Sequence, residues 1–133
     1  MTTKQWLSRF KNTDIEIRSL REQKEIIFSE LTKCTSVTDE ERFDGTKENT
    51  REKKLVKYTE LSSTIDDRIV ELMDICVEIN KAIQSVPDGV CRTILYERYI
   101  KFKSWHQIAA IIHYSDKYII QVLHPKALKA IKR

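Results

Sequence analysis

The chain has 133 residues, 33% of them charged, with two glycines, two prolines and a formal net charge of +4. That length allows one or two small domains, and so few turn-forming residues point to long helices rather than a turn-rich β fold. No run of about 18 apolar residues occurs, which argues against a membrane-spanning helix; the opening MTTKQWLSRFKNTDIEI lacks a continuous apolar core, so a cytoplasmic location is expected.

Residues 4–35 carry a stripe in alternating steps of four and three: Trp6, Phe10, Thr13, Ile17, Leu20, Lys24, Ile27, Leu31 and Cys34. This is the seam of a heptad helix, with Thr13 and Lys24 as polar interruptions; Lys24 can snorkel or fix register. Thr35–Thr50 (TSVTDEERFDGTKENT) is polar, holds one glycine and has no periodicity, so a loop is expected, mobile around Phe43–Asn49. Asp39, Glu40, Glu41 and Asp44 do not have the spacing of an EF-hand loop, and no phosphate-cradling glycine pattern appears. A plain connector is the expectation.

A second stripe runs Tyr58, Leu61, Ile65, Arg68, Leu72, Ile75, Ile79, Ala82, Val86, widened by Val56, Ile69, Cys76 and Ile83. Two heptad helices joined by a loop are expected to fold back as an antiparallel hairpin over residues 1–85. The surplus apolar side then needs a cover. A second copy of the chain would supply one, giving a homodimer, and the chain's own C-terminal helices would supply another. Cys34, Cys76 and Cys91 are odd in number and widely spaced, which suits small buried groups better than disulfides or metal ligands.

Pro87 ends the second helix and Asp88-Gly89 turns the chain into a second domain, residues 86–133. Here nine Lys/Arg face three acids, a net +6, while residues 1–85 are net −2. The positive charge of the protein thus belongs to its last third, a footprint suited to phosphates. Val90–Phe102 reads as a supporting helix with Cys91, Ile94, Leu95, Tyr99 and Phe102 inward. Arg92 and Arg98 pair locally or touch phosphate, and Tyr96 and Tyr114 are assigned to the core. Ser104 is placed as an N-cap before Trp105, Ile108, Ala109 and Ile112, one stripe at i, i+3, i+4 and i+7. Ala109 is small enough to let a second helix cross closely. The pattern pauses at His113-Tyr114, and Ser115 or Asp116 caps a further helix, Lys117–His124. Helix, short turn and helix is the layout in which the second helix enters the DNA major groove, although an ordinary pair of packed helices gives the same stripes.

With Ser115 as the cap, Ile119, Val122 and Leu123 point inward and Lys117, Tyr118, Gln121 and His124 outward; with Asp116, Ile120 turns inward and the outward set rotates. Pro125 falls inside the helical pattern and removes one hydrogen bond, at a cost of about 3 kcal/mol in a helix interior. The expectation is a kink there, or a helix that stops at His124 and restarts with Pro125 at its first position. The candidate DNA contacts are Ser115, Lys117, Tyr118, Gln121 and His124, with Lys103, Lys126 and Lys129 as further basic contacts.

The pieces Pro87, Arg92-x-Ile94-Leu95-x-x-Arg98-Tyr99, Ser104-Trp105-x-x-Ile108-Ala109, Tyr114-Ser115 and Ala127-Leu128-Lys129 cover about a third of the chain. This run resembles region 4 of bacterial sigma factors. More closely, it resembles the small sigma-like helix-turn-helix regulators of phages and prophages known as ArpU/RinA-type. The resemblance implies that the second helix of the pair reads promoter DNA. Two departures stand out: Lys101-Phe102-Lys103 replaces a usual glycine before Ser-Trp, and the Ser115-to-Ala127 spacing is one residue long.

His106, His113 and His124 form no metal set or acid–base pair, and no Gly-rich loop or nucleophile elbow accompanies them. The expectation is therefore no enzyme, no cofactor and no metal. The favoured function is a sequence-specific transcriptional regulator, phage- or prophage-encoded, with double-stranded DNA as partner and RNA polymerase as a second candidate partner. Two alternatives are a phage DNA-packaging component such as a small terminase subunit, and a protein-interaction module with no DNA role.

Overall fold

The computed structural model describes residues 1–35 and 45–133, with side chains for 1–33 and 50–133. Among these the chain is all helical, with no strand. Helix α1 runs Thr3–Thr35 and α2 runs Gly45–Gln84. Helix α3 begins as Gly89–Leu95 and continues through a π-helical stretch, Tyr96–Ile100. Helix α4 is Trp105–Ile112. Helix α5 opens as Asp116–Tyr118, widens to a π-helical stretch at Ile119–Leu123, and closes as His124–Ala130.

The ends of these helices follow from local chemistry. Thr2 and Gln5 form a reciprocal pair at the start of α1, Gln5 N donating to Thr2 Oγ1 at 3.2 Å and Thr2 N to Gln5 Oε1 at 2.9 Å. Asp88 caps α3, accepting from Val90 N at 2.9 Å and Cys91 N at 3.4 Å; these two bonds hold its carboxyl below the usual carboxylate range. Of the loop expected over Thr35–Thr50, residues 36–44 lie outside the described residues. They include Phe43 and the acidic Asp39, Glu40, Glu41 and Asp44. From Gly45 the chain is already helical, so α2 begins earlier than its apolar periodicity does. The side chain of Cys34 also lies outside the described set.

The chain divides into two compact units, and the division falls within α1 and α2 rather than at residue 86. One unit is Glu16–Glu71. Ile17, Ile27 and Ile65 are buried in it. The polar seam positions carry ion pairs between the helices: Lys24 Nζ lies 2.6 Å from Asp66 Oδ1, and Arg68 Nε 3.1 Å from Glu16 Oε1. Exposed pairs of this kind contribute little stability, about 0–1 kcal/mol, but they oppose a shift of register. Within this unit Ile26, Phe28, Val56, Leu61 and Val70 remain exposed.

The other unit joins Met1–Ile15 to Leu72–Arg133. Its larger core gathers Trp6 and Leu7 of α1, Ile79, Ala82 and Ile83 of α2, Val86, then Cys91, Leu95, Tyr99, Ala127 and Ile131. The boundary expected between 85 and 86 is therefore not a boundary of packing, because residues on both sides of it fill one core. Leu7, fully buried, stands beside the heptad stripe rather than in it. It faces inward because the start of α1 packs against more than a single seam. A smaller core holds Ile94, Ile108, Ala109, Ile119 and Leu123, with Val90, Trp105 and Ile112 around it. Tyr96, assigned to the core from sequence, is half-buried at the edge of the larger cluster.

Truncating a fully buried aliphatic side chain costs about 2–5 kcal/mol through lost transfer energy and an unfilled cavity. Leu7→Ala is therefore expected to lower urea-unfolding stability by about as much as Leu95→Ala, while Val70→Ala, exposed, stays within about 0.5 kcal/mol. A Leu7 variant as stable as the parent chain would contradict the place of the first helical turns in this core.

Candidate functional site

The last two helices are set by two serine caps and one left-handed residue. Ser104 Oγ accepts from Gln107 N at 3.2 Å, and Gln107 Oε1 accepts from Ser104 N at 3.0 Å, a complete capping box at the head of α4. α4 ends at His113, which has φ 61° and donates its N–H to the Ala109 carbonyl. A left-handed non-glycine residue costs about 1–2 kcal/mol and reverses the chain in one step. After Tyr114, Ser115 Oγ accepts from Tyr118 N at 3.2 Å. Ser115, not Asp116, is the cap of α5. Ile119 is accordingly fully buried, and Ile120 faces solvent.

The middle of α5 departs from an α-helix, and Pro125 is the reason. Proline has no N–H to give the carbonyl four residues back, that of Gln121. The chain meets this with i→i+5 geometry over Ile119–Leu123, closed by His124 N–H to the Ile119 carbonyl. Pro125 then stands at the opening of the α-helical segment His124–Ala130, where its missing donor is harmless. The expected interruption is thus a π-helical stretch that joins the two parts of one helix and takes one residue more than an α-helical turn.

That extra residue changes which side chains face out. The inward positions become Ile119, Leu123, His124, Ala127 and Ile131. His124, expected on the exposed face, is 6% exposed, and its Nε2 lies 2.7 Å from the Tyr99 hydroxyl. The Trp105 ring centre is 4.6 Å from that of the imidazole. Burial, then the charges of Lys4 and Arg98, push the His124 pKa down to about 4, and burial pushes Tyr99 up to about 12. A neutral imidazole enclosed this way makes no contact outside the molecule. Val122, expected inward, is instead exposed, as is Tyr114, which stacks on Tyr118 at 5.5 Å between ring centres.

Lys117, Tyr118 and Gln121 remain on the outer face of the first turns of α5, as expected for the Ser115 cap. Lys117 has no ion-pair partner among the described residues. Lys103 and Lys126 are engaged elsewhere. Lys103 Nζ lies 3.0 Å from Glu97 Oε2, and Lys126 Nζ 3.4 Å from Asp88 Oδ2. Lys129 is exposed on the final segment. The arginines are internal fasteners. Arg92 donates to the Val86 and Pro87 carbonyls at 3.0 and 3.3 Å; Arg98 donates to the Lys103 carbonyl at 2.9 Å and covers the Trp105 ring.

Exposed Ile111, Tyr114, Ile120 and Val122 add an apolar component to this surface that the sequence stripes did not show. For Val122 the signal lay in Pro125, whose missing N–H widens the turn before it, while Ile120 faces out because Ser115 is the cap. Before Ser104, Phe102 takes the left-handed conformation, φ 59°. Among the described residues no cluster of His, Cys, Asp or Glu could hold a metal ion, and no helix is long and apolar enough to cross a membrane. Cys91 is buried and Cys76 half-buried, and both are free thiols. Compared with models of protein families, with curated proteins and with solved structures, the chain gives no match in any of the three.

The folded pKa of His124 lies below its ordinary 6.5. The unfolded chain therefore takes up a proton first, and stability falls as pH drops from 6.5 to about 4. The loss from this group reaches about 3 kcal/mol across that window. Urea unfolding over the range should show a steeper acid decline for the parent chain than for His124→Gln. Equal slopes would show that the imidazole is not held neutral by the fold.

Proposed function

We propose that the protein is a sequence-specific DNA-binding regulator of transcription. In this reading α1 and α2 form an antiparallel hairpin, and α4, its turn and α5 form a helix-turn-helix of the sigma region 4 type. The single observation that supports it best is the exposed opening of α5. Behind a serine cap, Lys117, Tyr118 and Gln121 stand on the outer face over a core of Ile94, Ile108, Ala109, Ile119 and Leu123. The N-terminal turns of a recognition helix are the part that reaches base edges. Gln121 can bond adenine bidentately, Lys117 can answer a phosphate or guanine, and Ile120 can meet a thymine methyl. His124 takes no part, and Lys103 and Lys126 would have to leave Glu97 and Asp88 to contribute.

The apolar side chains left exposed by residues 16–71, Ile26, Phe28, Val56, Leu61 and Val70, support a second copy of the chain as partner. A dimer would present paired recognition helices to two half-sites about one turn of DNA apart. RNA polymerase is a further proposed partner, on the sigma resemblance alone, as is a phage or prophage origin. A second reading, a protein-interaction module, is favoured by exposed Ile111, Tyr114, Ile120 and Val122 on the same surface.

Selection of bound duplexes from random DNA, followed by sizing of the complex, separates these readings. A defined motif with two half-sites is expected. Gln121→Ala should relax preference at one base pair, losing about 1–3 kcal/mol of discrimination there, and Lys117→Ala should weaken all sequences and reduce the salt slope by about one. Failure to retain any duplex at low ionic strength would leave the protein-interaction reading in its place.

A further inference from the structure

A cavity of about 240 Å³ opens in the unit that joins Met1–Ile15 to Leu72–Arg133, lined by Lys4, Ser8, Lys11, Arg98, Tyr99 and Phe102. Lys4, Ser8 and Lys11 stand at i, i+4 and i+7 on α1, one face of the helix. Arg98 and Tyr99 come from the end of α3, with Phe102 just beyond. No carboxylate lines the cavity, and neither Lys4 nor Lys11 is ion-paired among the described residues.

Its parts are held in place. Arg98 Nη1 donates to the Lys103 carbonyl at 2.9 Å, and its guanidinium lies 4.4 Å from the centre of the Trp105 ring. Tyr99 is tied to His124 at 2.7 Å. Phe102, in its left-handed conformation, sets its ring centre 6.2 Å from that of Phe10. Strained backbone of this kind persists only where the surroundings enforce it, and it gathers at ligand sites. Three cations therefore line one pocket, and among the described residues no carboxylate lines it with them. Like charges brought together raise the energy of the folded chain until an anion enters. The same field reaches His124, where the charges of Lys4 and Arg98 add to burial in opposing protonation.

We propose that this cavity binds a phosphate group, held by Lys4, Lys11 and Arg98. The Arg98 guanidinium, its Nη1 already given to the Lys103 carbonyl, offers its remaining N–H groups, and the two lysines add point charges on flexible stems that can follow a tetrahedral anion. Phosphate suits the set better than a carboxylate, because it brings more oxygens and a larger charge for three cationic donors. The group comes from a free phosphorylated small molecule or from a nucleic-acid backbone. Binding of the free anion does not rest on the DNA reading of α5, since none of Lys117, Tyr118 and Gln121 lines the cavity.

Pyrophosphate is the probe, titrated at constant ionic strength into the ¹⁵N-labelled full chain while the amides of Lys4, Ser8, Lys11 and Phe102 are followed. Saturable shifts at these four are expected. Affinity should fall about tenfold or more in both Lys4→Gln and Lys11→Gln, a charged hydrogen bond being lost in each. It should hold in Lys53→Gln, on α2, and in Lys117→Ala. Both cavity lysines are exposed, so the variants are expected to fold, and their helical circular dichroism verifies it. Shifts that never saturate, or an equal loss in Lys53→Gln, would overturn the site. A duplex that competes with pyrophosphate identifies the backbone as the source, and simultaneous binding of both identifies the free anion. Loss of duplex binding in Lys117→Ala with pyrophosphate affinity intact separates this site from the function proposed for α5.

Discussion

Pro125 brings no N–H to the middle of a helix that must nevertheless carry buried side chains on both sides of it. The wide turn over Ile119–Leu123 answers that demand, spending one extra residue so that His124 closes onto the Ile119 carbonyl and Pro125 opens the next segment. The facing of the residues beyond Ile120 follows. Ile119 and Leu123 sink into the smaller core, Ala127 and Ile131 into the larger one, and His124 is drawn under Trp105 against Tyr99. One helix thereby locks two cores together within a single unit.

Positive charge in the last third of the chain is large in sum and uneven in availability. Glu97, 9% exposed, sits beside Lys103 and Lys101, and Asp88 both caps α3 and meets Lys126. Those lysines neutralise the protein's own acids. Among the described residues, Lys117 is left unanswered at the head of α5, and Lys4, Lys11 and Arg98 line a cavity without an acid. Partner recognition depends on charges the fold does not already satisfy, so counting bases alone misjudges where an anion is met.

The two compact units divide two long helices part-way along their length. In the unit that contains α3 to α5, the ends of α1 and α2 supply Trp6, Leu7, Ile79, Ala82 and Ile83 as the floor of the larger core. Among the described residues of 16–71, α1 and α2 bury Ile17, Ile27 and Ile65, and their polar seam positions are joined by ions. Ile26, Phe28, Val56, Leu61 and Val70 are left exposed there, because a helical pair buries only the faces turned toward each other.

Helix content, the long stripes of α1 and α2, the break at Pro87, the Ser104 cap and the inward Trp105, Ile108 and Ala109 were legible from residue order, because periodicity and capping are local. The outward facing of Lys117 and Tyr118 was legible too, because both lie before the wide turn, where α-helical counting still holds; Gln121, inside the turn, also stays exposed. Beyond it the count fails by one. His124 and Val122 exchange the environments that α-helical spacing assigns them, although Pro125 and the long spacing to Ala127 were visible hints. The burial of Leu7, the pairing of Lys103 and Lys126 with acids, and the gathering of Lys4, Lys11 and Arg98 around one cavity had no local signal. Leu7, the cavity and the Lys126–Asp88 pair each join residues far apart in the chain, and only the packing of the helices on one another decides them; Lys103 and Glu97 meet across the turn that follows α3. The sequence by itself determined which segments become helices and where they start. Tertiary packing decided which charges are left over, because a side chain's availability depends on what folds against it.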